Sequence, residues 1–134
     1  MSGILMQQVP LSFYLWVGFG GFIGSIARYT VTLWMARLTT GFPLGTLIIN
    51  ILGCFLIALI AGLASKTNLI TPEMRLFLAT GFCGGFTTFS SLMYEVMTLL
   101  EDGQWFYVSL YIGGSAIGGF LAVYIGFWLI EQWV

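Results

Sequence analysis

The chain has 134 residues, of which 59% are hydrophobic, and its 18 glycines raise the apolar share to roughly 72%, whereas a soluble domain has about 45–50%. Four Lys or Arg and five Asp or Glu make up 7% of the chain, and histidine is absent. Four cations cannot neutralise a run of phosphates, which excludes nucleic acid as a partner. Without histidine, most zinc sites and most acid–base catalysts lack their usual side chain. The composition predicts a membrane protein that binds or transports a ligand and is not an enzyme.

In chain order, long uncharged intervals predict four membrane-spanning helices. No charged side chain occurs in the intervals 1–27, 38–65, 76–94 and 103–130. Each can cross a hydrocarbon core about 30 Å thick as a helix of about 20 residues, and none has the period-2 alternation of a barrel strand. We therefore expect an all-α membrane protein with one transmembrane domain, residues 1–134, and both termini on one side. The predicted spans are approximately residues 11–35, 43–64, 75–99 and 104–130.

The basic residues do not select an orientation in the membrane. An excess of Lys and Arg normally marks the cytoplasmic loops. Here Lys66 and Arg75 lie on the side of the termini, whereas Arg28 and Arg37 lie on the other side. Such a chain can insert both ways round, and two inverted copies can then pack antiparallel. The alternative, that other features fix one orientation, stays open at this point.

Small residues at four-residue spacing predict close helix contacts, because they let backbones approach in lipid. This is a packing signal that any tight bundle would give. The pairs are Gly20 with Gly24, Ala58 with Gly62, Gly81 with Gly85, and Gly114 with Gly118.

The third predicted span is unusual at its middle, where residues 81–91 read Gly-Phe-Cys-Gly-Gly-Phe-Thr-Thr-Phe-Ser-Ser. Glycine costs about 1 kcal/mol relative to alanine in a helix, and Ser and Thr compete for backbone hydrogen bonds. A helix that opens near Gly84 to Thr87 would leave carbonyl groups at mid-membrane, where protein, water or a cation must satisfy them. A kinked but unbroken helix that uses its glycines for contact is the alternative. The residues alone leave both readings open.

Three segments resemble the small CrcB, or Fluc, fluoride channels, and the similarity covers nearly the whole chain. They are residues 24–29, which include Arg28, then Pro43 to Asn50, and Gly81 to Ser90. The resemblance implies an antiparallel, dual-topology dimer of four-helix subunits with a broken third helix and two fluoride pathways. It also implies a structural sodium ion at the dimer centre, bound by the backbone carbonyls of Gly84 and Thr87. The partner is a second, inverted copy of the chain or a paired homologue.

For fluoride, the resemblance implies a route lined by neutral donors and phenyl edges, because a fixed buried cation would hold the anion too tightly. Phe89 matches the first of the family's two pore phenylalanines, but Leu92 stands where the second is expected. Gly119 stands where a further hydroxyl is expected. The predicted pathway consists of Arg28, Thr46, Asn50, Phe89, Ser91, Leu92, Tyr111 and Ser115.

Structural roles compete with some of these assignments. Asn50 can instead form an inter-helix hydrogen bond, and Arg28 can anchor a helix end. Glu95 lies about 12 Å along the helix axis from Thr87, since a helix rises 1.5 Å per residue, and we expect it at the headgroup level.

The resemblance predicts passive, voltage-driven export of cytoplasmic fluoride across the plasma or inner membrane of a prokaryote by a multi-pass protein. Two alternatives remain. One is a non-conducting or weakly conducting partner subunit of a heterodimeric fluoride channel, motivated by Leu92 and Gly119. The other is a small multidrug-type cation exporter, which needs a buried carboxylate, and no Asp or Glu precedes Glu73.

Overall fold

The computed structural model describes residues 8–134, and every regular element in this range is helical. Helix α1 and helix α2 are continuous, whereas the third stretch is divided into segments. The elements are α1 (Leu11–Ala36), α2 (Leu44–Lys66), α3 (Pro72–Arg75), the π-helical segment π1 (Leu76–Cys83), α4 (Gly84–Phe86), α5 (Ser90–Glu101) and α6 (Trp105–Trp133).

Proline, threonine and glycine set the ends of these helices. Helix α2 begins directly after Pro43, and α3 begins with Pro72. Thr71 caps α3, because its side chain accepts a hydrogen bond from the Met74 N–H at 3.2 Å. The turns that reverse the chain before α2 and before α6 contain Gly41 and Gly103, whose φ angles of 93° and 69° favour glycine. The turns are short, so consecutive long helices run in opposite directions.

Three helical stretches among the described residues are long and apolar enough to cross a membrane: Leu44–Lys66, Pro72–Glu101 and Trp105–Trp133. Helix α1 has 26 residues, which is sufficient length, but it is not one of the three. The mean hydropathy of α1 is lower because the helix contains glycines, Tyr and Trp residues and Arg28 in addition to Leu and Ile. The membrane character predicted from composition is therefore clear in three stretches and weaker in α1.

Helix α1 packs against π1 and α4 through glycines on both sides, and we call this contact the glycine seam. A Cβ atom at Gly81 would stand 2.7 Å from the Val17 carbonyl oxygen and 2.9 Å from Gly20 Cα. A Cβ atom at Gly24 would stand 3.0 Å from the Phe86 nitrogen. The close contact predicted for the Gly20/Gly24 and Gly81/Gly85 pairs is confirmed, since backbone meets backbone here.

Helix α2 packs mainly against α6. Glycines of α6 contact side chains of α2, whereas the glycines of the seam contact backbone. A Cβ atom at Gly118 would stand 2.8 Å from Ile51 Cδ1, and one at Gly126 would stand 2.7 Å from the Ala58 Cβ. Helix α5 also packs on α6 through a cluster of buried apolar residues. This cluster consists of Leu92, Val96, Leu99, Val108 and Tyr111.

Candidate functional site

The helical conformation is interrupted between Phe86 and Ser90. Thr87 has an extended backbone, with φ −85° and ψ 159°, and helix α5 starts only at Ser90. On the N-terminal side of α4, π1 runs for eight residues, and π-helical conformation is rare in proteins. The interruption, residues 87–89, contains Thr87 and Phe89 and follows helix α4 with Gly84, three residues that the resemblance marks for sodium or fluoride.

Asn50 of α2 forms two hydrogen bonds with the interrupted segment, one through the nitrogen and one through the oxygen of its carboxamide group. Its Nδ2 donates to the Thr88 carbonyl at 2.9 Å, and its Oδ1 accepts from the Thr88 N–H at 2.8 Å. The inter-helix hydrogen bond considered for Asn50 is thus present. One N–H of the carboxamide remains beyond these two bonds.

In an unbroken helix, two carbonyl groups would accept hydrogen bonds from the N–H groups of Thr88 and Ser91, but here both N–H groups donate to side-chain oxygens. The Gly84 carbonyl would accept from the Thr88 N–H, which donates to Asn50 instead. The Thr87 carbonyl would accept from the Ser91 N–H, which donates to Thr88 Oγ1 at 3.2 Å. Both carbonyl oxygens therefore lack their helical partner, and carbonyl oxygen is a suitable ligand for a hard cation.

Gly53 of α2 makes room for Thr87 beside the interruption. A Cβ atom at Gly53 would overlap Thr87 Cγ2 and would lie 3.5 Å from Thr87 Cβ. Thr87 has little freedom to move away, since its N–H and its Oγ1 both donate to the Cys83 carbonyl, at 2.9 Å and 2.8 Å. The position of the interruption thus depends on a glycine in another helix.

An open cleft of about 440 Å³, which we call the glycine cleft, brings together four of the predicted site residues. Phe89 is 74% exposed on this side, and the space around Gly84 is open, with no atom within 4 Å of a Cβ built there. No cluster of three His, Cys, Asp or Glu residues suited to a metal occurs in the described part of the chain. The four predicted residues in its lining are Asn50, Gly84, Thr87 and Phe89.

A second cleft of about 340 Å³, the hydroxyl cleft, lies beside the first, and Thr88 lines both. It contains three more predicted residues, Arg28, Thr46 and Ser91. Arg28 is half-buried in α1, and Glu95 of α5 contributes a carboxylate to the same lining. The hydroxyl cleft thus combines one cation, one carboxylate and several neutral hydroxyl groups.

Glu95 links two predicted pathway residues. Its Oε1 accepts a hydrogen bond from Thr46 Oγ1 at 2.8 Å, and its Oε2 accepts one from the Tyr111 hydroxyl at 2.5 Å. Tyr111 is fully buried, and its ring packs edge-on with Phe42 at 5.7 Å between ring centroids. We expected Glu95 to be a headgroup-level acid or a partner for a basic side chain; its depth stays a prediction, and its carboxylate accepts hydrogen bonds from the hydroxyls of two other helices. The helix rise gives the distance of Glu95 from Thr87 along the helix axis, but it does not predict which side chains of other helices contact Glu95.

Three predicted pathway residues lie outside both clefts: Leu92, Ser115, and Tyr111, whose hydroxyl donates a hydrogen bond to Glu95. Leu92 is 8% exposed and belongs to the apolar cluster between α5 and α6. Ser115 Oγ is buried and has no hydrogen-bond partner among residues 8–134. At Gly119, a Cβ atom would stand 3.3 Å from Cys54 Sγ, so this position is closely packed against α2. Gly53 and Glu95 were not among the predicted site residues. Glu95 was considered only for its distance from Thr87, and its acidic side chain one turn beyond the Ser-rich segment was the only available signal for a site role.

Comparison with known proteins identifies the family. The family model for CrcB-like protein, Camphor Resistance (CrcB), matches residues 15–127. A fluoride-specific ion channel FluC of Chlorobium phaeobacteroides (strain BS1) is 56% identical over 119 residues, which is 89% of this chain and 93% of that protein. The FluC protein of Chlorobium chlorochromatii is 60% identical over 112 residues, 84% of this chain and 87% of its own length. The FluC protein of Acidobacterium capsulatum is 46% identical over 114 residues, 84% of this chain and 91% of its own.

The matched region includes α2, π1, α4 and α5 in full and most of α1 and α6. It therefore contains the interruption, Asn50 and both clefts. Since the family model covers well over half of the sequence, and since three helical stretches are suited to a membrane, the chain is a membrane protein that belongs to the CrcB family.

Proposed function

We propose that this chain forms a fluoride-selective channel that lets cytoplasmic fluoride leave the cell passively. Its relatives carry the name fluoride-specific ion channel, and they are alike over almost their full length. The observation that carries the proposal is the pair of clefts that meet at Thr88. Together they line a route whose polar groups are chiefly neutral, with Arg28 as its one cation and Glu95, bound by two hydroxyl groups, as its one carboxylate.

Neutral donors suit fluoride because the ion must exchange its water for hydrogen bonds and must still be released. Asn50 has one N–H left beyond its two bonds to Thr88, and Phe89 exposes its ring to the same cleft. Ring edges carry partial positive charge and attract anions without a full charge. Ser115 lies outside both clefts, and a route that continued from them along α6 would meet its buried hydroxyl, which is unpartnered in the described chain and can donate to a dehydrated anion.

The Gly84 and Thr87 carbonyls fit a structural sodium ion. Both have lost their helical N–H donors, both residues line one open cleft, and oxygen is the ligand type that a hard cation prefers. A bound sodium ion would supply positive charge to these oxygens and stabilise the interruption. In its absence, each unsatisfied carbonyl at mid-membrane would cost several kcal/mol.

A second, inverted copy of the chain would complete the site. The balanced basic residues allow insertion in both orientations, and the glycine cleft lies open at the surface of one chain. Two carbonyls from each copy would give the cation four oxygens, and each copy would bring one set of route residues.

Transport would be driven by the membrane potential. A negative interior favours exit of an anion by about 2.3 kcal/mol per 100 mV, so no chemical energy source is required. The protein would act in the bacterial membrane in which its relatives function.

Reconstitution tests this proposal. Liposomes that contain the purified chain and are loaded with potassium fluoride and potassium chloride should release fluoride within seconds of valinomycin addition and retain chloride, as measured with ion-selective electrodes. Asn50→Ala should lower the fluoride rate about tenfold or more, because two bonds that fix Thr88 and a free donor are lost. The matched control is Asn68→Ala, since Asn68 is exposed in the connection between α2 and α3. Equal release of chloride, or equal rates for the two variants, would contradict the proposal.

The same assay addresses the two alternatives. The heterodimer alternative is favoured by Leu92, which lies in the apolar cluster and leaves Phe89 as the one predicted ring in the glycine cleft. A partner subunit reconstituted alone would release neither ion and would gain activity when mixed with a paired homologue. A multidrug-type exporter would exchange a lipophilic cation for protons and leave fluoride trapped.

A further inference from the structure

A groove at one end of the bundle joins a cation to an apolar floor. It lies where α1 begins, α2 ends and α3 begins, and its volume is about 510 Å³. Phe13, Ile70 and Leu76 contribute apolar surface, and Arg75 is the one charged residue of its lining. The groove runs from the start of α3 to Thr80 in π1. The groove is therefore amphipathic, with a cationic side chain in its lining and apolar side chains along its floor.

Arg75 is available to a ligand. Its side chain is exposed, and its guanidinium forms no hydrogen bond or ion pair with residues 8–134, while its backbone N–H donates to the Thr71 carbonyl at 2.9 Å. Glu73 on the same helix is partly buried and lies outside the groove lining, as does Lys66 at the end of α2. A ligand in the groove therefore meets one unneutralised cation. The start and end of long apolar helices lie near the membrane surface, where lipid headgroups are found.

We propose that this groove binds an anionic phospholipid, with the phosphate on Arg75 and the upper part of one acyl chain on the apolar floor. The chain is a membrane protein, so lipid is the molecule present in excess at a groove of this depth. A guanidinium forms charge-assisted hydrogen bonds with phosphate. Basic grooves between membrane helices favour headgroups with net negative charge, because a zwitterionic headgroup carries its own ammonium. The groove meets the glycine cleft at Thr80, which lines both, whereas Arg75 lines only the groove.

Native mass spectrometry of the full chain in neutral detergent tests the site. The chain is titrated with phosphatidylglycerol and with phosphatidylcholine of the same acyl composition, and we expect severalfold tighter retention of phosphatidylglycerol. Arg75→Gln should weaken this retention about fivefold, the effect of one basic residue at an anionic lipid. Arg37→Gln is the matched control, since Arg37 is an exposed arginine at the opposite end and lines none of the clefts described above.

A second variant tests the apolar floor without a change of charge. Ala64→Phe fills the groove from α2 and should abolish retention of phosphatidylglycerol, and glycerol phosphate should not compete, because it lacks the acyl chain. Equal retention of the two lipids, or equal losses in the two arginine variants, would overturn the site. So would competition by glycerol phosphate, which indicates a phosphate site only, or loss of lipid on dimerisation, which indicates that a second copy covers the groove. If Ala64→Phe does not fold, the two arginine variants still decide the question.

Discussion

The segment from Gly81 to Thr87 has two faces that use glycine for different purposes. On the face towards α1, Gly81 and Gly85 touch backbone atoms, so a side chain has no space within the chain itself. On the opposite face, a Cβ atom built at Gly84 has no neighbour within 4 Å, and the Gly84 φ of −61° and ψ of −39° are ordinary helical values. The fold of one chain therefore explains the first two glycines and does not explain Gly84. Gly84 differs from other open glycines because it lines the glycine cleft, the face at which we propose that a second copy of the chain packs.

Gly85→Ala should have the largest effect, because it places an atom on the packed face. The new Cβ would stand 2.5 Å from the Gly21 carbonyl oxygen and 3.0 Å from Gly21 Cα, and neither helix backbone can yield cheaply. We expect destabilisation of about 3 kcal/mol, the upper range of overpacking, measured by denaturant unfolding in detergent micelles. Gly113→Ala in α6 is the control, since a Cβ there meets no atom within 4 Å. Equal stability of the two variants would mean that the glycine seam is not tight.

Gly53→Ala tests how α2 sets the position of the interruption, and its effect should be smaller and more local. The added Cβ overlaps Thr87 Cγ2. Thr87 cannot easily move away, because it donates two hydrogen bonds to the Cys83 carbonyl. We expect about a tenfold loss of fluoride release from liposomes, with a loss of stability of about 1 kcal/mol.

The double variant Gly53→Ala/Thr87→Ser supplies the decisive control. Serine lacks the Cγ2 methyl group but keeps the hydroxyl that donates to Cys83, so the double variant should recover a rate within about twofold of the original. Thr87→Ser alone should be nearly neutral. If the double variant is as impaired as Gly53→Ala, the steric account of Gly53 is wrong.

The two faces also differ in what the sequence could predict. Four-residue spacing of small residues identified the packed face, because helix contact in lipid follows local spacing. The unusual composition of residues 81–91 indicated where the helix conformation changes, but it could not choose between an interruption and a kink. That choice depends on Asn50, which is 38 residues away in the chain and takes the Thr88 N–H. The hydrogen-bond partners of Glu95 were not predicted for a similar reason, since Thr46 is 49 residues distant.

Gly84→Ala tests the open face, and here the single chain and the proposed dimer give opposite expectations. Within one chain alanine fits, and it should stabilise the helical segment by about 1 kcal/mol. If two inverted copies share a cation at this face, the methyl group obstructs their approach, so the dimer should dissociate about fivefold to tenfold more readily and require more sodium. Dimer dissociation in detergent at several sodium concentrations measures this, with Gly18→Ala, also open, as the control. A tighter dimer with unchanged sodium dependence would show that Gly84 is dispensable and would leave the carbonyls of Gly84 and Thr87 without their proposed ligand.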